Sequence, residues 1–110
     1  MSQINVDSLI TNMLAAMEAA VKLHWNDIKP YAETEAKKLA ATAVQIELGQ
    51  ADGSINPAQA KILLRMQANA SQAVLTAVET VSMITAQDAI NGALAVLAAA
   101  VNKAIGFAIL

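Results

Sequence analysis

Residues 49–61 read GQADGSINPAQAK. As a ligand loop this run would make the chain a calcium binder. As a turn between helices it would make the chain a set of helical hairpins. An EF-hand loop needs oxygen ligands at positions 1, 3 and 5, glycine at 6, an apolar residue at 8 and glutamate at 12. With Gly53 at position 6, Asp52 falls at 5 and Ile55 at 8, as required. Positions 1, 3 and 12 then fall on Leu48, Gln50 and Gln59. One carboxylate, without the bidentate glutamate, does not hold a dehydrated divalent cation. The turn reading uses the residues better. Gly49 is a helix stop, Asp52-Gly53 turns the chain, and Ile55 packs back onto the fold. Asn56 then caps the next helix, with Pro57 as its first residue.

Helical patterns flank this corner. On the N-terminal side Ala32, Ala36, Leu39, Ala43 and Ile46 form one stripe, and Pro30 can open that helix or kink one continuous helix. Further back, Val6, Ile10, Met13, Met17, Ala20 and His24 recur at helical spacing, widened by Leu14, Val21 and Ile28, with Asp7 or Ser8 as cap. On the C-terminal side Ile62, Met66, Ala70, Ala73, Ala77, Val81 and Ile84 mark a third helix. The run ITAQDAI starts a fourth, with Thr85 as cap and Asp88 three residues on. The expected helices are 7–28, 30–48, 57–83 and 86–108. No glycine or proline enforces the break between the last two, so one rod of roughly 50 residues, about 75 Å long, is the alternative there. The reading is all-α: antiparallel helical hairpins forming a four-helix bundle in a single domain, 1–110.

Composition agrees. The chain has 110 residues, 56% of them hydrophobic, with one Trp, one Tyr, one Phe, two prolines and no cysteine. Much of the apolar content is alanine, which favours helix. A net charge of −2 gives no basic stripe for nucleic acid. The absence of cysteine removes disulfides, thiolate metal sites and a cysteine nucleophile. The N-terminal run MSQINVDSLI lacks a basic segment followed by an apolar one, so a cytoplasmic protein is expected.

Few residues suggest chemistry. His24, in KLHWND, has Asp27 three residues on as a candidate partner, but no nucleophile is evident. A lone histidine beside Trp25 reads more simply as part of the bundle end. A di-iron bundle needs two Glu-x-x-His pairs, and one histidine cannot supply them. Met13 and Met17 stand at core spacing and read as packing rather than as metal or haem ligands. In EAKKLAA, Glu33 and Glu35 offset Lys37 and Lys38, so this is a solvated face. No cofactor, no metal and no enzymatic activity are expected.

The C-terminal run AINGALAVLAAAVNKAIGFAIL stands apart. Beyond Glu79 only Asp88 and Lys103 are charged. The run is long enough to cross a bilayer core of about 30 Å. Eight of its residues are alanine, however, and Asn91, Asn102 and Lys103 oppose insertion. Ile90, Leu94, Leu97, Val101, Ala104 and Ala108 form a coiled-coil-like seam. Asn91, Ala95, Ala98 and Asn102 form a second, small and uncharged face. A helix apolar nearly all round is expected to be buried nearly all round. Self-association is therefore expected, in a closed oligomer or an open stack, through Ala70, Ala73 and Ala77 of the third helix and Ile90, Leu94, Leu97, Val101 and Phe107 of the fourth. The leading function is a structural, self-associating protein. Insertion of the last helix into membrane lipid, for lysis, pore formation or anchoring, is the alternative. An apolar small molecule held between helices is a weaker third reading.

Overall fold

The structure, a computed structural model, describes residues 4–106. It is an all-α four-helix bundle with no strand among the described residues. The helices are α1 (Val6–Val21), α2 (Trp25–Asp52), α3 (Pro57–Thr76) and α4 (Met83–Ile105). A 3-10 turn, Lys22–His24, joins α1 to α2. α1 packs mainly on α4, and α2 on α3; α2 also touches α1 and α4, while α1 and α3 stand diagonally apart. The bundle measures 42 × 23 × 19 Å. At 1.5 Å per residue, the 28 residues of α2 span its whole length.

The first connection differs from the sequence expectation. The chain turns at Lys22, whose φ is 54°, rather than at Pro30. Pro30 lies inside α2, in its second turn. There it forgoes one i→i−4 bond, to the Asn26 carbonyl, and the helix continues through it. The α1 cap is Asn5, whose Oδ1 accepts from the Ser8 N–H at 3.0 Å, so neither Asp7 nor Ser8 fills that role. The buried line of α1 is Leu9, Met13, Met17 and Val21. Val6 is exposed, which rotates the stripe slightly from the expected one.

The second connection is the corner at residues 49–57. Asn56 and Gln59 form a reciprocal capping box, with bonds of 2.8 and 2.9 Å, and Pro57 opens α3. The helix stop is Gly53, at φ 81°, not Gly49. Gly49 is buried inside α2 and has a different task. The Ile55 N–H donates to the Gly49 carbonyl at 3.0 Å, and the Ile55 side chain occupies the space where a Cβ on residue 49 would stand.

The third connection, residues 77–82, separates α3 from α4, so no continuous rod forms. α3 ends at Thr76 and α4 begins at Met83. No glycine or proline is needed. Val81 is buried, and the Ser82 Oγ accepts from the Thr85 N–H at 3.1 Å as the cap of α4. Thr80 anchors the corner to α2 by donating to Asp27 Oδ2 at 3.0 Å.

The core stripe of α2 is the expected one: Ala32, Ala36, Leu39, Ala43 and Ile46 are fully buried. In α3 the core face is instead Ala60, Leu64, Ala68, Ser71 and Leu75. The expected stripe of Ile62, Met66, Ala70, Ala73 and Ala77 lies on the opposite, exposed side. α4 runs unbroken through Asn91-Gly92. There its backbone approaches α1: a Cβ on Gly92 would lie 3.4 Å from the Ala16 carbonyl oxygen.

One polar network crosses the core. Glu35, only 2% exposed, accepts from Ser71 Oγ at 2.8 Å and pairs with Lys38 Nζ at 3.3 Å. Gln67 Nε2 donates to the same Ser71 Oγ at 3.1 Å. This satisfies a carboxylate that would otherwise be costly to bury.

Candidate interaction surface

The sequence-derived interface residues divide into two groups. Ile90, Leu97 and Val101 are buried against the chain's own helices, and Leu94 is half-buried and packed on that core. This seam of α4 therefore faces the inside of the bundle, with Leu94 at its edge. The reason is geometric: α1, α2 and α3 all pack against α4, and they take its most apolar side. Phe107, like Ala108, lies outside the described residues. Ala70, Ala73 and Ala77 are exposed.

Further large apolar side chains are exposed on α3 and at the start of α4. Ile62 is 58% and Met66 63% exposed on the same side of α3, and Met83 and Ile84 at the start of α4 are 66% and 71% exposed. A hollow of about 470 Å³ is lined by Asn69, Gln72, Ala73, Thr76, Ala77 and Met83. The spacing of Ile62, Met66 and Ile84 marks a helix without fixing which face turns inward, and nothing in it singles out Met83.

α4 adds a flatter surface. Asn91, Ala95 and Ala99 are exposed, and Ala98 and Asn102 half-buried. The helix is thus buried on one side and open on the other, rather than buried all round. It is long and apolar enough to cross a membrane, although 33% of its most apolar stretch is buried inside the bundle.

The groups that suggested chemistry are placed as follows. His24 Nδ1 lies 3.7 Å from Asp27 Oδ2, with both side chains about half exposed. Thr80 donates to that same carboxylate oxygen. Both groups thus meet on the carboxylate, and the histidine does not stand between hydroxyl and acid as a base must. Ser71 and Glu35 are in contact but sealed in the core, at 0% and 2% exposure. In the corner, Asp52 Oδ1 accepts from the Ser54 N–H at 2.8 Å. Bonds from Ser54, side chain first and backbone second, hold its carboxyl below the ordinary value of 3.8. Gln59 is occupied by the capping box, and Gln50 donates to the Ile55 carbonyl. The polar groups that an EF-hand alignment would recruit therefore serve the turn. Among the described residues no three His, Cys, Asp or Glu side chains gather as a metal set.

No family model matches the chain, and no curated protein or solved structure is significantly similar to it.

Proposed function

We propose that the protein is a non-enzymatic structural component that self-associates through the outward face of α3 and the corner leading into α4. The observation that carries this reading is the exposure of Ile62 and Met66 on one side of α3 and of Met83 and Ile84 at the start of α4, each more than half exposed, beside a bundle whose core is already closed. Single exposed apolar side chains are ordinary, but four large ones on two neighbouring elements favour a contact surface. Covering the exposed part of four such side chains would contribute roughly 1 kcal/mol each. Ala70, Ala73 and Ala77 leave room for a partner helix to approach closely. The interface so proposed keeps the three alanines and replaces the inner seam of α4 with residues at the α3–α4 corner.

Size exclusion with light scattering, on protein prepared without detergent, tests this. The expected result is a discrete multiple of 11.4 kDa, or a larger soluble particle. Ile62→Asp with Met66→Asp should return the mass to that of one chain without loss of helicity. A single-chain mass at every concentration for the unaltered protein would refute the reading.

Membrane insertion of α4 is the second reading, supported by the length and apolarity of Met83–Ile105. It requires α4 to leave the bundle and withdraw Ala86, Ala89, Ile90, Ala93, Leu97 and Val101 from the core. Flotation with liposomes, together with loss of protection of the α1 amides, would favour it over self-association.

A further inference from the structure

Sulfur is distributed unevenly over the bundle. The chain has five methionines and no cysteine, so oxidation at sulfur falls on thioethers alone. Met13 and Met17, in the core line of α1, are 0% exposed. Met66 on α3 and Met83 at the start of α4 are 63% and 66% exposed. These two belong to the surface proposed above for self-association. Met83 also shares its hollow with the carboxamides of Asn69 and Gln72.

A thioether in water reacts with hydrogen peroxide. The sulfur lone pair attacks one peroxide oxygen, the O–O bond breaks, and the released hydroxide takes that oxygen's proton and leaves as water. Sulfur loses two electrons and the peroxide gains two. The product is a sulfoxide, polar where the thioether was apolar. Exposure governs this reaction, so Met66 and Met83 react in the folded chain. Met13 and Met17 react only when the bundle opens, a state populated at about one part in a thousand or less in a stable domain. The outer surface can therefore turn polar while the core stays intact.

Resting on the self-association reading above, we propose that Met66 and Met83 are reversible oxidation sites, whose conversion to methionine sulfoxide by hydrogen peroxide separates the associated copies. Covering a sulfoxide strips its oxygen of water, and the apolar area that favoured contact is lost. On a separate bundle that oxygen stays hydrated, and at Met83 it shares a hollow with carboxamides that can donate to it. Each sulfoxide should weaken association about tenfold. Association in turn covers both thioethers, so the oxidant captures the free chain. A methionine sulfoxide reductase, supplied with a dithiol, returns the thioether, and the oxygen leaves as water while the dithiol becomes a disulfide.

Met66→Leu with Met83→Leu separates the surface from the core. Leucine keeps the apolar volume and has no sulfur to oxidise. The double variant should associate as the unaltered protein does and keep its mass in peroxide. Dissociation of this variant by peroxide, with Met13 and Met17 oxidised, would place the sensitivity in the core and overturn the proposal.

The main test treats the unaltered protein with hydrogen peroxide, maps sulfoxide by peptide mass spectrometry and sizes the protein by light scattering. Sulfoxide should appear at Met66 and Met83 at least about tenfold sooner than at Met13 and Met17. Helicity should be unchanged while the mass falls towards one chain. Reaction at both sites should slow as protein concentration rises, and the reductase with dithiol should restore the original mass. Equal rates at all four of these methionines would overturn the assignment of sites. Selective oxidation of Met66 and Met83 with the mass unchanged would overturn their control of association while leaving self-association standing. A single-chain mass for the untreated protein at every concentration would overturn both.

Discussion

Replacing Gly49 and Gly92 by alanine, one at a time, compares two buried-side helix positions that differ in what a new methyl group would meet. Alanine is favoured over glycine inside a helix by about 1 kcal/mol, and this gain applies at both sites. At Gly92 the added Cβ lies 3.4 Å from the Ala16 carbonyl oxygen and 3.6 Å from its Cβ. Those are ordinary contact distances, so the gain stands. At Gly49 the added Cβ lies 2.5 Å from Ile55 Cγ1 and 2.9 Å from Ile55 Cβ. Ile55 cannot simply swing away, because its N–H is bonded to the Gly49 carbonyl at 3.0 Å and its Cβ is fixed to that backbone. Overpacking of this kind costs about 1–3 kcal/mol.

Gly92→Ala should therefore stabilise the chain by up to about 1 kcal/mol, and Gly49→Ala should destabilise it by up to about 2 kcal/mol. The propensity gain cancels in the comparison, so the difference between the two variants measures the clash itself. Urea unfolding followed by circular dichroism resolves it, provided the slope with denaturant is unchanged. Thermal midpoints should separate by about 4–6 °C for each kcal/mol. In the Gly49→Ala background, Ile55→Ala should cost less than in the unaltered protein, because trimming Ile55 relieves two of the close contacts. Stabilisation by Gly49→Ala equal to that by Gly92→Ala would mean that Ile55 does not sit on residue 49, and the account of the corner would fail.

Three further outcomes follow from the same structure. Lys22 holds a positive φ that suits glycine, so Lys22→Gly should raise stability by roughly 1 kcal/mol in the same unfolding experiment, and a loss would contradict the strained turn. Ser71→Ala removes a donor from the buried Glu35 and should cost about 1–3 kcal/mol, whereas combining it with Glu35→Leu should recover much of that loss; an equal or larger loss in the double variant would argue against a desolvated carboxylate. Asp52 has its carboxyl lowered by Ser54, so its contribution to the turn is present above the ordinary carboxylate value and is lost as pH falls through the lowered one. An NMR titration should find Asp52 protonating below the ordinary value of 3.8, and a midpoint at or above that value would contradict the turn bond.

How much of this was legible beforehand varied by element. The corner at 49–57 could be read because its residues act locally: Asn56, Pro57 and Gly53 fulfil their roles within a few bonds of themselves. α2 could be read because one of its faces is charged, with Lys37 and Lys38 leaving a single side for the core. The break at 77–82 could not, since it rests on the burial of Val81 and the bond from Thr80 to Asp27, which are tertiary. The inward turn of Glu35 was equally hidden. A glutamate beside two lysines reads as solvated until Ser71 of α3 is brought against it.

α3 is the ambiguous element. Its two faces, Ala60-Leu64-Ala68-Ser71-Leu75 and Ile62-Met66-Ala70-Ala73-Ala77, carry nearly equal apolar weight at helical spacing, so periodicity cannot choose between them. The fold resolves the tie by giving one face to α2 and α4. Having two such faces is itself informative. A helix that lies at the surface of a lone bundle gains nothing from Ile62 and Met66 pointing outward, because a charged residue there would serve solubility better. Two equivalent faces are what a helix between two neighbours requires, and this chain supplies a neighbour on one side only. That imbalance is the physical reason to look for a second neighbour on the open face of α3.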